Sequence, residues 1–255
     1  MTISETPLTE QQIRDGIRDL APFHHPVELP YGLNTVSENA PGVGHQNRMN
    51  RLKNYGWPEL LQACGGSLDG LTVLDCACNN GGLTVEAAKA GAKHVLGFDV
   101  VDRYIEQANF IKAALAQELP EIEFRKMGVE DVSVEALGTF DVTLCFGILY
   151  HMQDPVSTMQ AIASVTKKVL FVGTKTFTPP KRWPRREINQ SVWRMNIRKP
   201  GPTATTANAW VDVPKIQFEP TRKAVTDLLR FLGFSQITNL RTASGGLSGL
   251  FLAQR

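Results

Sequence analysis

The stretch Val73–Leu83 reads VLDCACNNGGL. An apolar run ends on Asp75 and passes through Ala77, Asn79, Gly81 and Gly82 into a helix-like segment. Such a turn can hold a nucleotide or cofactor, because glycine reaches unusual backbone angles and lets a ligand approach the chain closely. Two of the expected glycines are replaced. Ala77 adds one methyl group, and Asn79 is the non-glycine residue best suited to positive φ. Taken alone, the stretch fits a working loop and a plain turn equally well. Asp99 lies 24 residues after Asp75, at the end of a second apolar run, KHVLGFDV. A carboxylate there can accept hydrogen bonds from both hydroxyls of a ribose, or cap the next helix. Asp102 is the better expected cap for that helix. A third run ends in MGVEDV, where Val129 beside Glu130 or Asp131 can cover an adenine and accept from its amine, or form a solvated loop. A fourth run opens into CFGILYHMQDP, Cys145–Pro155.

These residues need a scaffold that brings strand ends together. LTVLDCA, KHVLGFDV, EIEFRKMGV, FDVTLCFGIL and KKVLFVGTK read as strands. Between them TVEAAKA ends at Gly91, and RYIEQANFIKAALAQEL carries Ile105, Ala108, Ile111 and Leu115 at helical spacing before Pro120. DPVSTMQAIASVT has Asp154 as N-cap and Pro155 at the first helical position. Strand–helix alternation implies a parallel sheet with helices on both faces and right-handed crossovers. After it come the amphipathic TRKAVTDLLRFLGF and two runs, SQITNLRT and SGLFLAQR, separated by ASGG. Residues 8–20 and 47–64 look helical, with an extended stretch between them.

The expected fold is therefore α/β, a Rossmann-like, mostly parallel seven-stranded sheet with helices on both faces and a C-terminal antiparallel hairpin. An N-terminal extension and a lid insertion complete it. Residues 1–69 are expected to be a helical and extended cap, and 70–176 the cofactor-binding core. Residues 177–220 form a lid or substrate insertion, and 221–255 a helix and hairpin completing the sheet, all within one domain overall. The insertion carries Pro179, Pro180, Pro184, Pro200, Pro202 and Pro214, and no clean periodicity runs through it.

Composition narrows the function classes. The chain has 255 residues, 42% hydrophobic and 20% charged, with a formal net charge of +2. That is globular, with a sizeable core, and argues against a polyanion-binding protein as a whole. No apolar run is long enough to span a membrane, and the polar N-terminus lacks the regions of a secretion signal. Cys64, Cys76, Cys78 and Cys145 form no C-x-x-C pair, and His spacing suggests no zinc site, so no metal is expected. Reduced thiols in a cytoplasmic protein are the expectation.

Together the motifs resemble those of class I S-adenosylmethionine-dependent methyltransferases over residues 70–176, and more loosely over the C-terminal helix and hairpin. VLDCACNNGG is similar to the family's first motif and GFDV to its ribose-binding acidic motif. FDVTLCFGILYHMQDP, the most specific match, resembles the branch that holds tRNA wobble-uridine carboxymethyltransferases and related small-molecule methyltransferases. FEPTRKAVTDLLRFLGFSQI resembles that branch's ending. A Rossmann dehydrogenase is the rival, but its G-x-G-x-x-G would fall on Ala77, Asn79 and Gly82, leaving one glycine of three.

The resemblance implies S-adenosylmethionine as cofactor. Its methionine moiety would lie along Asp75, Ala77, Asn79 and Gly81, its ribose on Asp99, and its adenine near Val129 and Glu130. Phe146 and Gly147 would border the sulfonium. His151 is the nearest candidate base, or a structural hydrogen-bonding group, with Tyr150 beside it to orient an acceptor. His24 and His25 would reach over the cofactor mouth as part of a cap, or lie on the surface. Residues 181–199 hold seven basic residues and one acid. Trp183, Arg186, Trp193 and Arg194 there are candidate acceptor contacts, beside the alternatives of a solvated lid or an RNA surface. The expected activity is O- or N-methylation of a small molecule. A tRNA wobble-uridine methyl- or carboxymethyltransferase and a cofactor-binding protein without transfer activity remain as alternatives.

Overall fold

The computed structural model describes residues 7–36, 56–116, 119, 122–179, 190–198, 215–240 and 248–255. The elements in chain order are α1 (Glu10–Leu20), β1 (Glu28–Leu29), β2 (Leu33–Asn34), α2 (Trp57–Ala63), β3 (Thr72–Cys76), α3 (Gly82–Lys89), β4 (His94–Asp99), α4 (Asp102–Ala114) and β5 (Ile122–Lys126). They continue with α5 (Val134–Leu137), β6 (Phe140–Phe146), α6 (Pro155–Ser164), β7 (Thr166–Thr174), β8 (Trp193–Arg198), β9 (Lys215–Pro220), α7 (Arg222–Phe231), β10 (Gln236–Leu240) and β11 (Gly249–Gln254). The main sheet has seven strands in the order β10-β11-β7-β6-β3-β4-β5. The order reverses beyond β3, and in such sheets ligands bind at the carboxyl ends of the strands beside that reversal.

The chain divides into two units, Met1–Asp131 with Phe140–Leu144 and Val132–Thr139 with Cys145–Arg255. In the first, β3 pairs in parallel with β4, and β4 with β5. Val73, Leu74, Val95, Leu96 and Phe98 are all buried, which explains why these runs show no polar alternation. Asp141 anchors the start of β3: its Oδ2 accepts from Thr72 N at 3.0 Å and Thr72 Oγ1 at 2.9 Å.

The N-terminal segment is strapped to α4. Thr9 and Gln12 form a capping box that starts α1. A Cβ at Gly16 would overlap the Phe110 ring, so only glycine lets α1 lie this close. Arg103 donates to Asp19 O at 2.8 Å, and Gln107 Nε2 to Leu20 O at 2.6 Å and Pro22 O at 2.9 Å. This strap delivers Phe23–His25 toward α3.

In the second unit, β11 is antiparallel to both β7 and β10, the expected C-terminal hairpin. Asp154 caps α6 by accepting from Ser157 N at 3.0 Å, and Thr221 caps α7 through Ala224 N at 3.1 Å. α7 buries Ala224, Val225, Leu228 and Leu229, one apolar stripe. Within residues 177–220, β8 and β9 pair as a two-stranded antiparallel ribbon. Each strand does alternate, but each is only six residues long, too little to stand out beside the prolines.

Pro120 and the ASGG stretch lie outside the described residues, as do 47–55 of the expected helix over 47–64. Among the described residues no helix is long and apolar enough to cross a membrane, and no group of three or more His, Cys, Asp or Glu side chains could hold a metal.

Candidate functional site

The loop after β3 adopts a conformation that its sequence half announces. Asn79 has φ 53° and Gly81 φ 79°, both left-handed. Ala77 is left-handed too, at φ 53°. Its methyl group was expected to matter only for ligand approach. Instead Ala77 carries the conformational cost that a glycine avoids, about 1–2 kcal/mol. Cys78 N donates to Phe98 O at 2.9 Å and Gly81 N to Cys78 O at 2.9 Å, so the loop is tied both to β4 and to itself.

Asp99 is the hub of this arrangement. It is buried, its Oδ2 accepts from Asn79 N at 3.0 Å and its Oδ1 from Val101 N at 3.1 Å. One carboxylate thus holds the left-handed Asn79 and the turn into α4. Asp102 is not the N-cap of α4, as expected, but its first residue; Val101 occupies the cap position with no side-chain bond. Asp102 pairs instead with Lys126 at 2.8 Å, and the Asx-type bond of Asp99 to Val101 does the work of a cap. Burial raises the Asp99 pKa, with backbone N–H donors of Val101, Asn79 and Val100 opposing it. A carboxylate has about four lone-pair sites, so these backbone donors leave capacity for a ligand.

Asp75 lies deeper, 1% exposed, and accepts from Thr84 Oγ1 at 2.7 Å. Burial pushes its pKa up to about 7; the Thr84 hydrogen bond opposes this and the charge of Asp99 adds to it. The charge of Asp99 thus adds to burial in disfavouring the ionised form of Asp75.

Several residues that shape the loop have no motif signature. Asn80 is fully buried, and its amide makes a reciprocal pair with the His25 backbone: His25 N to Oδ1 at 2.7 Å, Nδ2 to His25 O at 3.0 Å. A Cβ at Gly82 would lie 2.6 Å from that of His25. His25 thus packs directly on the start of α3. The only signal for Asn80 was a second polar residue in an otherwise small-residue loop. Phe124 from β5 lies under Gly81 and Gly97, where added Cβ atoms would sit 2.6 and 2.9 Å from its ring. Asn80→Ala removes both bonds to the His25 backbone, whose carbonyl keeps its bond from Thr35 Oγ1 at 2.9 Å. It should lower unfolding free energy by about 2 kcal/mol, read as a fall in the urea midpoint.

Met127 N donates to Asp99 O at 3.0 Å, which sets the Val129–Asp131 turn beside the end of β4. Val129 is half-buried and Glu130 exposed. The Glu130 carboxylate folds over Gly128, where a Cβ would collide with it.

In the second unit, Phe146 stands edge-on to Phe171 with ring centres 5.0 Å apart. Gly147 has φ 77° and donates to Gly173 O at 2.9 Å, and nothing lies within 4 Å of where its Cβ would be. Tyr150 is buried and His151 exposed on the 3₁₀ turn Leu149–His151, with ring centres 4.1 Å apart. Lys175 Nζ stands 4.7 Å from the Tyr150 ring centre. Buried Gln217, from β9, places its amide 3.4 Å from His151 Nδ1. Gln217 had no sequence signal. Trp193 is half-buried on β8; Arg194 pairs with Glu219 and stacks over Phe177 at 4.8 Å. Trp183 and Arg186 lie outside the described residues.

A model of the methyltransferase domain family matches residues 67–178. A ubiquinone biosynthesis O-methyltransferase of Leptothrix cholodnii is 35% identical over 102 residues, 40% of this chain and 42% of that protein. A tRNA U34 carboxymethyltransferase of Helicobacter acinonychis is 33% identical over 101 residues, 40% of this chain and 38% of that protein. The chain thus spans less than half the length of either curated relative. Among solved structures, the N-terminal domain of EvdMO1, determined in the presence of SAH and D-fucose, aligns over 97% of both chains with a TM-score of 0.70 and 18% identity. The SAM-bound magnesium protoporphyrin IX methyltransferase ChlM from Synechocystis PCC 6803 aligns over 84% of this chain and 80% of its own, with a TM-score of 0.56 and 20% identity. At those identities the likeness is one of fold, and it is the fold of the sheet described above. Residues 67–178 thus resemble a methyltransferase domain, and the seven-stranded sheet with its antiparallel C-terminal hairpin shares the fold of those solved structures.

Proposed function

We propose that the chain binds S-adenosylmethionine at the ends of β3, β4 and β5 and directs in-line methyl transfer to a hydroxyl or amine of a small-molecule acceptor. The observation that carries this reading is the buried Asp99, which fixes the left-handed Asn79 amide and retains acceptor capacity at the end of β4. The group supplies a methyl activated by positive sulfur. What the protein adds is alignment of donor and acceptor, which contributes up to about 7–11 kcal/mol.

The loop Asp75–Gly81 takes the methionine portion, Asp99 the ribose, Val129 and Glu130 the adenine, and Phe146 and Gly147 the sulfonium side. The open space beside Gly147 suits close approach of a ligand. Tyr150 orients the acceptor and His151 takes its proton. His25 supports the loop from above. Asp99→Ala should weaken S-adenosylhomocysteine binding about 10- to 100-fold, the worth of charge-assisted hydrogen bonds at about 1.5–3 kcal/mol. Unchanged affinity in calorimetry would remove the ribose assignment.

The tRNA reading draws support from the carboxymethyltransferase relative and from the basic stretch 181–199. Methyl-labelled cofactor offered with a panel of small phenols, alcohols and amines, and separately with total tRNA, decides between them. Label in a small molecule supports the proposal. Label only in tRNA, with binding that falls steeply with salt, supports the alternative.

A further inference from the structure

Asn79 holds φ 53°, an angle that glycine would reach without strain. What it adds over glycine is a side chain, and both ends of that side chain are engaged. Oδ1 accepts from Asn80 N at 2.8 Å. A backbone N–H can only donate, so this bond fixes which way the amide points. The amide also hydrogen-bonds the Tyr104 hydroxyl. Burial raises the Tyr104 pKa, the Asn79 bond opposes this, and the charge of Asp99 adds to it. A bond that opposes the rise is one donated to the phenol oxygen, so Nδ2 is the end that faces Tyr104.

Tyr104 is held in its turn. It is half-buried on the first turn of α4, and its N donates to Val101 O at 3.0 Å. Val101 N donates to Asp99 Oδ1 at 3.1 Å, and Asp99 Oδ2 accepts from Asn79 N at 3.0 Å. Asn79, Tyr104, Val101 and Asp99 therefore close a ring of hydrogen bonds that joins the loop after β3 to the end of β4 and the start of α4. The link that closes the ring is the Tyr104 hydroxyl.

Resting on the cofactor reading above, we infer that Tyr104 is a positioning residue for the adenosyl cofactor: through the Asn79 amide it holds the loop after β3 in its binding conformation before the ligand arrives. Glycine at position 79 would reach the same angle but would leave it as readily. A ligand that must order its own loop binds more weakly by the ordering cost, and the clasp imposes that order when the chain folds. Asparagine meets both needs, since it tolerates the left-handed angle and supplies the amide. Tyr104 acts through Asn79 and takes no part in the transfer itself.

Hydrogen exchange of the ligand-free chain, read by NMR, and calorimetry with S-adenosylhomocysteine test this together. Tyr104→Phe removes only the hydroxyl. It should speed exchange at the Asn79 and Asn80 amides and weaken S-adenosylhomocysteine binding, each by about 5-fold, the worth of one neutral hydrogen bond. A merely structural role would instead speed exchange across β3 and β4 alike. Asn79→Gly leaves no amide for Tyr104 to hold. On that background Tyr104→Phe should change neither exchange at position 79 nor affinity. Equal losses on both backgrounds overturn the inference, because Tyr104 would then act without Asn79. Wild-type exchange and affinity in Tyr104→Phe overturn it too, as does faster exchange with unchanged affinity. A wild type that does not bind S-adenosylhomocysteine refutes the cofactor reading, whereas absence of coupling between positions 79 and 104 in the ligand-free chain refutes the clasp alone.

Discussion

Asp75→Asn should remove the share that Asp75 contributes to the fall in stability expected of the wild type as pH rises from about 4 to about 7. Asp75 is buried, and its pKa is pushed up from 3.8 to about 7, mainly by burial, against the Thr84 hydrogen bond and with the charge of Asp99 adding. Between those two values the folded chain holds a proton that the unfolded chain has released. Unfolding free energy therefore falls with rising pH across that window, and the contribution is fully present only below about pH 4. The gap corresponds to on the order of 4 kcal/mol. Asparagine can still accept from Thr84 but does not ionise. Urea midpoints at pH 5 and pH 8 should thus converge in the variant, which overtakes the wild type at pH 8. Parallel pH dependence in the two proteins would show that Asp75 ionises normally. The proposed cofactor gives a reason to keep an acid that costs stability: a cation bound nearby favours the ionised carboxyl.

Gly81→Ala should destabilise the fold by about 2–5 kcal/mol, adding left-handed strain of about 1–2 kcal/mol to overpacking of about 1–3 kcal/mol. Gly81 has φ 79°, and its added Cβ would lie 2.6 Å from the Phe124 ring and 3.5 Å from Ala108 Cβ. Neither β5 nor α4 can retreat cheaply, because Phe124 also packs under Gly97 and Ala108 is fully buried. Thermal and urea unfolding both read the effect. A loss below about 0.5 kcal/mol, typical of surface sites, would mean that the loop and ring readily move apart.

The parts of this fold that could be read from the sequence are those with strong local patterns. The runs that became β3, β4, β6 and β7 are largely apolar because most of their residues are buried. α6 carries its own start signal in Asp154 and Pro155, and Asn79 is the residue type that tolerates its observed φ of 53°. What could not be read depends on partners distant in sequence. Asn80 owes its role to His25, 55 residues away, and Gln217 to His151, 66 residues away. Phe124 looks like an ordinary strand residue until Gly81 and Gly97 are seen against it. Ala77 misled for another reason: alanine rarely adopts a left-handed angle, and only the ties from Cys78 to β4 and from Asn79 to Asp99 hold it there. The alternation in β8 and β9 does not announce burial, since Gln217 on the polar face is buried while Met195, Ile197 and Ile216 on the apolar face are exposed.

The central claim is that the left-handed loop after β3, held by Asp99, is a site for the adenosyl cofactor. Calorimetric titration of the intact chain with S-adenosylhomocysteine tests it most directly. The account predicts saturable binding at one site per chain, weakened in Asp99→Ala protein that remains folded. No heat of binding and no rise in melting temperature at millimolar ligand would contradict it.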